Sequence, residues 1–488
     1  MRVRIGAALG VLAMLSACGG GGGGGGGVIG GSPTPTPTST GTPTPTPSTT
    51  AGCSLRERQD WALAQLREWY LFPETLPSNP NPAAFSTVDD YIDSLTATAR
   101  AQRKDRFFTY LTSIKEEDAY YNSGATAGFG TRFALDQTGR RLFVIESFEG
   151  APALNAGIDR GTEILQIGTS TSNLRNVSAI VDAEGTAGLN TALGPDTPGT
   201  ARVFQFRTID GTTTTATVTK TDFSLLPVST RYGAKVLNDN GKKVGYINLR
   251  TFISSAETPL KNAFANFRAQ GISEFIIDFR YNGGGLINVA ELMGDLLGGG
   301  KTSSQVYSYT TFRPEKSSEN TVKYFAPTNQ SVTPTKIAFI GTGRTASASE
   351  LVINAFVPYL GTNMALIGTN TYGKPVGQIA VDKKECDDRF RIVALAVQNS
   401  ARSAAYYDGL AATVPNTCQA SDDISYPLGD NREQSVARAL DFLAGRTCSR
   451  ISASTGASAQ AGEGRFDERA LLQPARPSTA QREVPGLF

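Results

Sequence analysis

Apolar positions divide the chain into stretches of different periodicity. Between residues 54 and 120 they recur at helical spacing, beginning with Leu55 and Trp61, which predicts helices with one buried face. Between residues 124 and 223 the apolar runs are short, β-rich and separated by glycine, which predicts strands joined by turns. From residue 243 onward, strand-like and helix-like segments alternate, and this alternation favours an α/β sheet covered by helices.

The same patterns predict individual elements. In the second stretch we predict a short helix within residues 150–158 and strands at residues 141–145, 163–167 and 201–206. In the third stretch we predict strands at residues 244–249, 275–279, 336–340 and 364–368 and helices at residues 257–270, 287–297 and 350–359. Residues 178–199 are predicted to be an unusually long connection.

The chain is therefore predicted to be multidomain. We expect an N-terminal helical region at residues 53–123, a β-rich domain at residues 124–223 and an α/β core at residues 224–448. Residues 449–488 are polar and are expected to form a mostly disordered tail.

Residues 1–17 are predicted to be a cleaved export signal, because a basic start precedes an apolar run too short to span a bilayer. The run ends in Leu-Ser-Ala-Cys, which resembles a bacterial lipobox and implies a lipid on Cys18. Residues 18–52 contain nine consecutive glycines and a Pro/Thr/Ser tract, which predicts a linker. We expect a lipid-anchored, periplasm-facing protein of the bacterial cell envelope. It is expected at the outer membrane, because Gly19 stands where an aspartate would favour the inner one.

Composition narrows the classes of partner and cofactor. Lys and Arg number 46 against 44 Asp and Glu, so the charge balance does not favour nucleic-acid binding. Besides Cys18 there are four cysteines, which are expected to pair in an oxidising compartment. Three pairings are open, and we favour Cys386 with Cys418 and Cys53 with Cys448. With no histidine and no Cys-x-x-Cys, neither a metal site nor a cofactor is expected.

The absence of histidine also limits the chemistry, because any acyl transfer needs another base. A serine–lysine pair is one such solution. Ser347 lies at a predicted strand-to-helix turn, where backbone N–H groups can stabilise an oxyanion. Ser347 is favoured over Ser349 as the nucleophile, because the next N–H then belongs to the small, neutral Ala348 and not to the acidic Glu350. Both serines remain open on this argument.

The groups that would assist Ser347 are predicted in two other loops. Gly284 or Gly285, after the predicted strand at residues 275–279, can supply a second N–H to the oxyanion hole beside that of Ala348. Lys374 follows the predicted strand at residues 364–368. To act as a base its pKa must fall from about 10.4 to about 7 or 8, which requires burial.

Three sequence blocks, taken together and in this order, resemble carboxyl-terminal processing proteases of the S41 serine peptidase family: residues 278–285, 345–350 and 371–378. The resemblance spans about residues 54–445 and implies an α/β serine–lysine peptidase core of the ClpP/crotonase type. It implies Ser347 as nucleophile, Lys374 as base and Gln378 as the residue that orients the lysine. Lys374 follows Ser347 by 27 residues, two more than the family's usual interval, whereas counting from Ser349 restores that interval.

The β-rich stretch resembles a PDZ domain, in which a Gly-Phe-Gly-like loop binds a peptide's terminal carboxylate while the peptide adds a strand to the sheet edge. Here that loop is Gly128-Phe129-Gly130. The resemblance implies protein or peptide partners with free C-termini. In the predicted core, Gly283 stands where the S41 family has a proline.

Together these expectations predict a serine endopeptidase of the cell envelope that cleaves proteins near unstructured C-termini through an acyl-enzyme. One alternative is a non-catalytic, PDZ-type peptide-binding envelope lipoprotein, which would need the 128–130 loop but not the serine, lysine and glutamine together. Another is a serine–lysine amidase or esterase for small molecules, which would need no carboxylate-binding domain.

Overall fold

The computed structural model describes residues 50–452 and 469–488. The predicted signal, Cys18 and the linker up to residue 49 lie outside the described residues, as do residues 453–468. Among the helices of the described part, none has both the length and the hydropathy needed to span a membrane.

The N-terminal region is helical, as the apolar spacing predicts. The side chain of Ser54 accepts a hydrogen bond from Glu57 N–H and so begins the first helix. Leu66 on its buried face belongs to the same hydrophobic cluster as Phe390 and Ile392 of the core, so this region packs on the core and not on itself alone. Its elements are α1 (Leu55–Trp69), α2 (Val88–Leu95), α3 (Ala97–Ala101), β1 (Tyr110–Ser113) and α4 (Ile114–Ser123).

The β-rich domain is built on an antiparallel sheet around its own hydrophobic cluster. Its elements are β2 (Ala125–Gly128), β3 (Thr131–Leu135), β4 (Leu142–Ser147), α5 (Pro152–Asn155), β5 (Glu163–Gly168), β6 (Arg175–Asn176), α6 (Val177–Leu193), β7 (Ala201–Arg207), β8 (Thr213–Thr219) and β9 (Thr221–Ser224). The strand order is β3-β4-β5-β7-β8, with β6 beside β5, while β2 pairs with β9. Helix α6 occupies the segment predicted as a long connection and is interrupted at Gly185, where φ is 65°.

The core contains a six-stranded sheet whose strands are parallel except for the first pair. Its order is β10-β11-β12-β15-β16-β19. The elements of the core are β10 (Lys235–Asp239), β11 (Lys242–Asn248), α7 (Glu257–Ala269), β12 (Glu274–Asp278), α8 (Ile287–Leu297), β13 (Val306–Phe312), β14 (Thr321–Tyr324), β15 (Lys336–Gly341), α9 (Ala348–Leu360), β16 (Met364–Gly368), β17 (Val376–Lys383), β18 (Asp388–Gln398), β19 (Asn416–Gln419) and α10 (Gln434–Leu443).

A second sheet of the core has the order β1-β18-β13-β14, with β17 also paired to β18. Strand β1 comes from the N-terminal region, so main-chain hydrogen bonds join that region to the core. Because parallel strands end at a common edge, the loops after β12, β15 and β16 meet there. These loops carry the three sequence blocks singled out above.

Buried ion pairs fix the β-rich domain against the core. The Arg250 guanidinium, which is 1% exposed, lies 2.7 Å from Glu146 and 2.7 Å from Glu149. Arg160 reaches in the opposite direction and lies 2.7 Å from Asp422 of the core. Removing one member of such a pair leaves a buried charge without its partner, so these contacts fix the position of the domain.

The favoured disulfide pairing is wrong. Cys53 is bonded to Cys386 and Cys418 to Cys448, with Cα–Cα distances of 5.5 and 5.4 Å. Cys53 lies just before α1, which packs against β18, and Cys386 lies in the turn between β17 and β18. Packing of the helical region on the core therefore brings these two cysteines together.

The expectation of a disordered tail over residues 449–488 is wrong for residues 469–488, which we call the tail segment. It contains β20 (Ala470–Leu471) and α11 (Thr479–Glu483). Strand β20 adds to the free edge of β3. The apolar side chains of Val484, Leu487 and Phe488 are at most 3% exposed, so hydrophobic burial holds this segment on the protein.

We predict that breaking the Cys53–Cys386 disulfide costs more stability than breaking the Cys418–Cys448 disulfide. The two bonds close separate loops with sequence separations of 333 and 30 residues, and chain entropy gives the longer loop an advantage of about 2 kcal/mol. The test is denaturant unfolding of the paired-serine variants Cys53→Ser/Cys386→Ser and Cys418→Ser/Cys448→Ser. Equal losses, or a larger loss for the shorter loop, would contradict the prediction.

Candidate active site

Backbone hydrogen bonds join the three loops at the edge of the parallel sheet. Ala346 N–H donates to Asn282 O at 3.0 Å, which connects the loop after β15 to the loop after β12. Tyr372 N–H donates to Thr345 O at 2.9 Å, which connects the loop after β16 to the loop after β15. The Thr345 hydroxyl donates to Phe279 O at 2.8 Å. The site is therefore one hydrogen-bonded unit.

Ser347 begins helix α9 in a conformation that non-glycine residues rarely adopt. Its φ is 55° and its ψ is −115°, and such backbone strain is typical of functional turns. Ser347 is partly exposed and lines a cavity of about 230 Å³ together with Ala348 and Lys374. The serine hydroxyl and the lysine therefore face the same small space.

Ser349 occupies a different environment. Its side chain is 0% exposed, and its hydroxyl donates to the backbone oxygen of Asn282 at 3.3 Å. A buried hydroxyl engaged in this way supports the neighbouring loop. The geometry thus favours Ser347 over Ser349 as a nucleophile, although the interval to Lys374 is the longer one.

Lys374 is partly buried, and its ammonium group donates to Gln378 Oε1 at 2.8 Å. Strand β17 has a register shift between Gly377 and Gln378, and such a bulge redirects a side chain. Burial lowers the pKa of Lys374 below that of an ordinary lysine, while the carboxylate of Glu483 opposes this change. The predicted contact between Lys374 and Gln378 is present.

The carboxylate of Glu350 connects the serine loop to the lysine loop. Its Oε2 accepts from Ser347 N–H at 3.0 Å and from Lys374 N–H at 2.7 Å. Its Oε1 accepts from the Thr371 hydroxyl at 2.6 Å and from Gly373 N–H at 2.7 Å. Burial raises the pKa of Glu350, and these hydrogen bonds oppose the rise. One side chain therefore fixes the positions of the serine loop and the lysine loop together.

The glycine loop after β12 differs in detail from the prediction. Gly284 lies against the serine, since a Cβ built on it would be 2.8 Å from Ser347 Cβ. However, Gly284 N–H donates to Asn282 Oδ1 at 2.9 Å, so this donor is already used. Gly285 lines the serine cavity, and Gly283 N–H donates to the Glu483 carbonyl at 2.9 Å. Sequence reasoning did not single out Gly283 as a donor.

The loop at Gly128, Phe129 and Gly130 lies apart from the serine and lysine, at the start of β3. Gly130 has a φ of 71°, and its N–H donates to the carbonyl oxygen of Phe488 at 2.9 Å. Phe129 is buried in the cluster of the β-rich domain. The loop is thus brought together with the tail segment and not directly with the cavity.

Sequence reasoning missed the positioning role of Glu350 and the presence of Glu483 at the cavity. Glu350 lies three residues after Ser347, where an acidic side chain at the first turn of a helix typically binds N–H groups. That spacing was a usable signal. No local pattern marks Glu483, which is far along the chain from Lys374.

Two parts of the chain match models of one protein family. Residues 243–400 match Peptidase family S41, and residues 57–110 match the Peptidase S41 N-terminal domain. The chain therefore contains an S41 peptidase domain and an S41 N-terminal domain. The multidomain α/β fold predicted from the sequence is confirmed by this match and by the structure.

Several relatives of this chain are named as proteases. A carboxyl-terminal-processing protease of Picosynechococcus sp. is 28% identical over 257 residues, which cover 52% of this chain and 55% of the relative. The carboxy-terminal processing protease CtpA of Bacillus subtilis is 26% identical over 291 residues, which cover 58% and 54%. The chain thus spans about half the length of the curated relatives it matches.

A solved structure shares the fold. The putative S41 protease from Bacteroides fragilis has a TM-score of 0.61 and 23% sequence identity, and the match covers 79% of this chain and 97% of that chain. At this identity the likeness extends to the fold alone.

We predict that Glu350→Gln lowers the free energy of unfolding by about 1–3 kcal/mol, because in either orientation the amide nitrogen would face at least one N–H donor where a carboxylate oxygen now accepts the hydrogen bond. The matched control is Glu385→Gln, whose carboxylate is 48% exposed beside Lys383 and whose loss should cost at most about 0.5 kcal/mol. Denaturant titration of both variants checks this. A Glu350→Gln variant as stable as its control would contradict the connecting role of this carboxylate.

Proposed function

We propose that this S41 protein is a serine endopeptidase that cleaves polypeptides near unstructured C-termini, with Ser347 as nucleophile and Lys374 as general base. The observation that carries the proposal is the cavity of about 230 Å³ that both residues line. Within it, burial lowers the pKa of the lysine, and a depressed lysine pKa is what a base needs near neutral pH. The names of the relatives support the same class of reaction.

In the proposed reaction Ser347 Oγ attacks the carbonyl carbon of a peptide bond. The neutral Lys374 amine takes the hydroxyl proton and later gives it to the leaving amine, so that an ester of Ser347 forms and the peptide C–N bond breaks. Gln378 accepts a hydrogen bond from Lys374 Nζ and so orients the amine. Water then attacks the ester with the lysine again acting as base.

The oxyanion of each tetrahedral intermediate needs N–H donors near Ser347. Ala348 N, at the start of α9, is one, supported by the partial positive charge of a helix N-terminus. The glycine loop supplies the other from Gly283, Gly284 or Gly285. In this conformation Gly284 N–H is bonded to Asn282 and Gly283 N–H to the Glu483 carbonyl, so Gly283 becomes a third candidate donor once the tail segment leaves it.

Recognition of the substrate's end is proposed for the 128–130 loop, whose N–H groups can bind a carboxylate beside the edge of β3. This assigns capture of the C-terminus to the β-rich domain and cleavage to the core. The observation in favour is that Gly130 N–H and Thr131 N–H both donate to one main-chain oxygen, that of Phe488, at 2.9 and 3.3 Å.

We predict that Ser347→Ala and Lys374→Ala each lower kcat for an unfolded polypeptide with an apolar C-terminus by at least about 10³-fold, since either change removes a whole catalytic function. Ser349→Ala is the matched control and should retain most activity, because its hydroxyl bonds only to a neighbouring loop. Cleavage followed by mass spectrometry checks all three. Full activity in Ser347→Ala, or loss confined to Ser349→Ala, would overturn the assignment.

We also propose that the protein is held in the bacterial cell envelope by a lipid on Cys18, facing the periplasm at the outer membrane. Support comes from the basic and apolar start of the sequence, the Leu-Ser-Ala-Cys motif and the two disulfides, which form in oxidising compartments.

Replacing the lipidated cysteine should release the protein from membranes, because the acyl chains are the proposed anchor. We expect Cys18→Ser to move the protein from the membrane fraction to the soluble periplasmic fraction, whereas Cys53→Ser should stay with membranes. Fractionation of a bacterial host with immunodetection checks this. Membrane association that persists in Cys18→Ser would contradict the proposed anchor.

A further inference from the structure

The tail segment occupies the free edge of β3. Strand β20 pairs with one half of this edge. On the other half, Phe133 N–H donates to Gly486 O at 2.9 Å and Phe488 N–H donates to Thr131 O at 3.0 Å. Addition of a strand at a sheet edge is a general mode of peptide recognition, because main-chain hydrogen bonds supply affinity for any sequence. Residues 486–488 are bound in this way.

The loop before β3 is shaped around Phe488. Gly130 N–H and Thr131 N–H both donate to the Phe488 carbonyl oxygen. A Cβ on Gly128 would lie 2.7 Å from the Phe488 carbonyl carbon, and no left-handed φ requires glycine there. Glycine at position 128 therefore makes room for the bound segment. The backbone conformation there does not itself require glycine.

The side chain of Phe488 fills an apolar pocket of the same domain. It is 3% exposed, and its ring centroid lies 6.0 Å from that of Phe133. Phe129 and two leucines of α6, Leu189 and Leu193, belong to the same cluster. Burial of a phenylalanine side chain contributes about 1.5–3 kcal/mol, so this groove favours a large apolar residue at the position of Phe488.

A few residues before Phe488, the tail segment crosses the cavity that contains Lys374, which we call the catalytic cleft. Gly283 N–H donates to Glu483 O at 2.9 Å, and a Cβ on Gly283 would lie only 2.3 Å from Arg482 O. The Arg482 guanidinium stacks on the Tyr110 ring at 3.8 Å. Both tail residues line a cavity of about 480 Å³ that also contains Lys374. The glycine that replaces the family's proline is thus the contact point of the tail.

Glu483 brings a carboxylate to the base. Its side chain lines the serine cavity beside Lys374 and accepts a hydrogen bond from the Tyr121 hydroxyl at 3.0 Å. Its Oε2 is buried and has no hydrogen-bond partner among the described residues. The negative charge of Glu483 raises the pKa of Lys374, against the effect of burial. Burial raises the pKa of Glu483, and the neighbouring Arg482 lowers the pKa of Lys374. In its ionised form the Glu483 carboxylate favours a protonated lysine, which cannot act as a base.

Arg132 of β3 connects the groove beside β3 to the catalytic cleft. Its Nη1 donates to Tyr281 O at 2.8 Å, in the loop after β12, and to Pro485 O at 3.0 Å, in the tail segment. Nε of the same guanidinium donates to Glu146 Oε2 at 2.9 Å. When the tail segment leaves β3, Arg132 therefore loses one of its contacts. Arg132 also supports the glycine loop.

We propose that residues 484–488 are the resident ligand of the β3 groove and that, while bound there, they hold Arg482 and Glu483 across the catalytic cleft as an autoinhibitory plug. A polypeptide C-terminus that ends in an apolar residue displaces this plug and thereby opens the site. The opening of the site rests on the proposed function, whereas the occupancy of the groove does not.

Binding in trans tests the occupancy without any catalysis. The probe is a fluorescent peptide with the sequence of residues 479–488, added to the otherwise full Cys18→Ser/Ser347→Ala chain and to the same chain lacking residues 484–488. In the full chain, residues 484–488 compete with the added peptide at an effective concentration in the millimolar range. The shortened chain should therefore bind the peptide at least about tenfold more tightly. A peptide with Asp in place of the last Phe is the control and should bind neither. Equal affinities, or no binding to the shortened chain, would overturn the proposal.

Gly128→Ala provides a second variant should the deletion fail to fold. Its methyl group clashes only with Phe488, so it should expel the tail from the groove and raise hydrogen–deuterium exchange in residues 470–488 and in β3. Arg140→Gln is the matched control, because that side chain pairs with Asp182 at 2.6 Å on the surface of the same domain, outside both the groove and the tail segment. Unchanged exchange in folded Gly128→Ala would contradict the proposal.

Cleavage assays test the plug. Deletion of residues 484–488 should raise kcat/KM about tenfold or more, by the same effective-concentration argument. Glu483→Gln should shift the acidic limb of the pH profile to lower pH, because loss of the carboxylate lets Lys374 lose its proton more easily. An active full chain with an inactive shortened chain would make the tail part of the working enzyme and overturn the plug. If neither cleaves, the proposed function fails while the binding test still decides the occupancy.

Discussion

The chemistry proposed for this site depends on keeping one lysine amine away from water. An exposed lysine stays protonated near neutral pH, and burial is the largest of the effects that lower the pKa of Lys374. Separate parts of the chain surround Lys374. The ring of Phe108 from the N-terminal region lies 5.0 Å from Nζ, Gln378 of β17 accepts its hydrogen bond, and Glu483 of the tail segment lines the same cavity. The helical region is therefore part of the site and not an appendage.

A second constraint is that the proposed nucleophile and the proposed base come from different loops. The loop after β15 carries Ser347 and the loop after β16 carries Lys374, and the Glu350 carboxylate accepts an N–H from each. A movement of either loop would leave buried donors or a buried carboxylate without partners, at a cost of about 1–3 kcal/mol for each group. The strained backbone of Ser347 is held by the same bonds. Glu350 thus acts as a positioning residue.

Much of the core could be predicted from the sequence, because strands β12, β15 and β16 are continuous apolar runs and parallel strands place their following loops at one edge. The absence of histidine and the resemblance to S41 peptidases singled out Ser347 and Lys374. Sequence reasoning could not pair Cys53 with Cys386, since residues 333 positions apart meet only through packing of α1 on β18. The tail was mistaken for a disordered segment because its average composition is polar, while a few apolar residues at its end determine its binding. Helix α6 was missed because Gly185 interrupts its periodicity.

The most direct test of the central claim is the site and pH dependence of labelling by a serine-reactive fluorophosphonate, read by intact mass and peptide mapping. The account predicts a single adduct on Ser347, formed faster as pH rises through the pKa of Lys374 and lost in Lys374→Ala. An adduct on Ser349, or labelling of Ser347 at the same rate with and without Lys374, would contradict it.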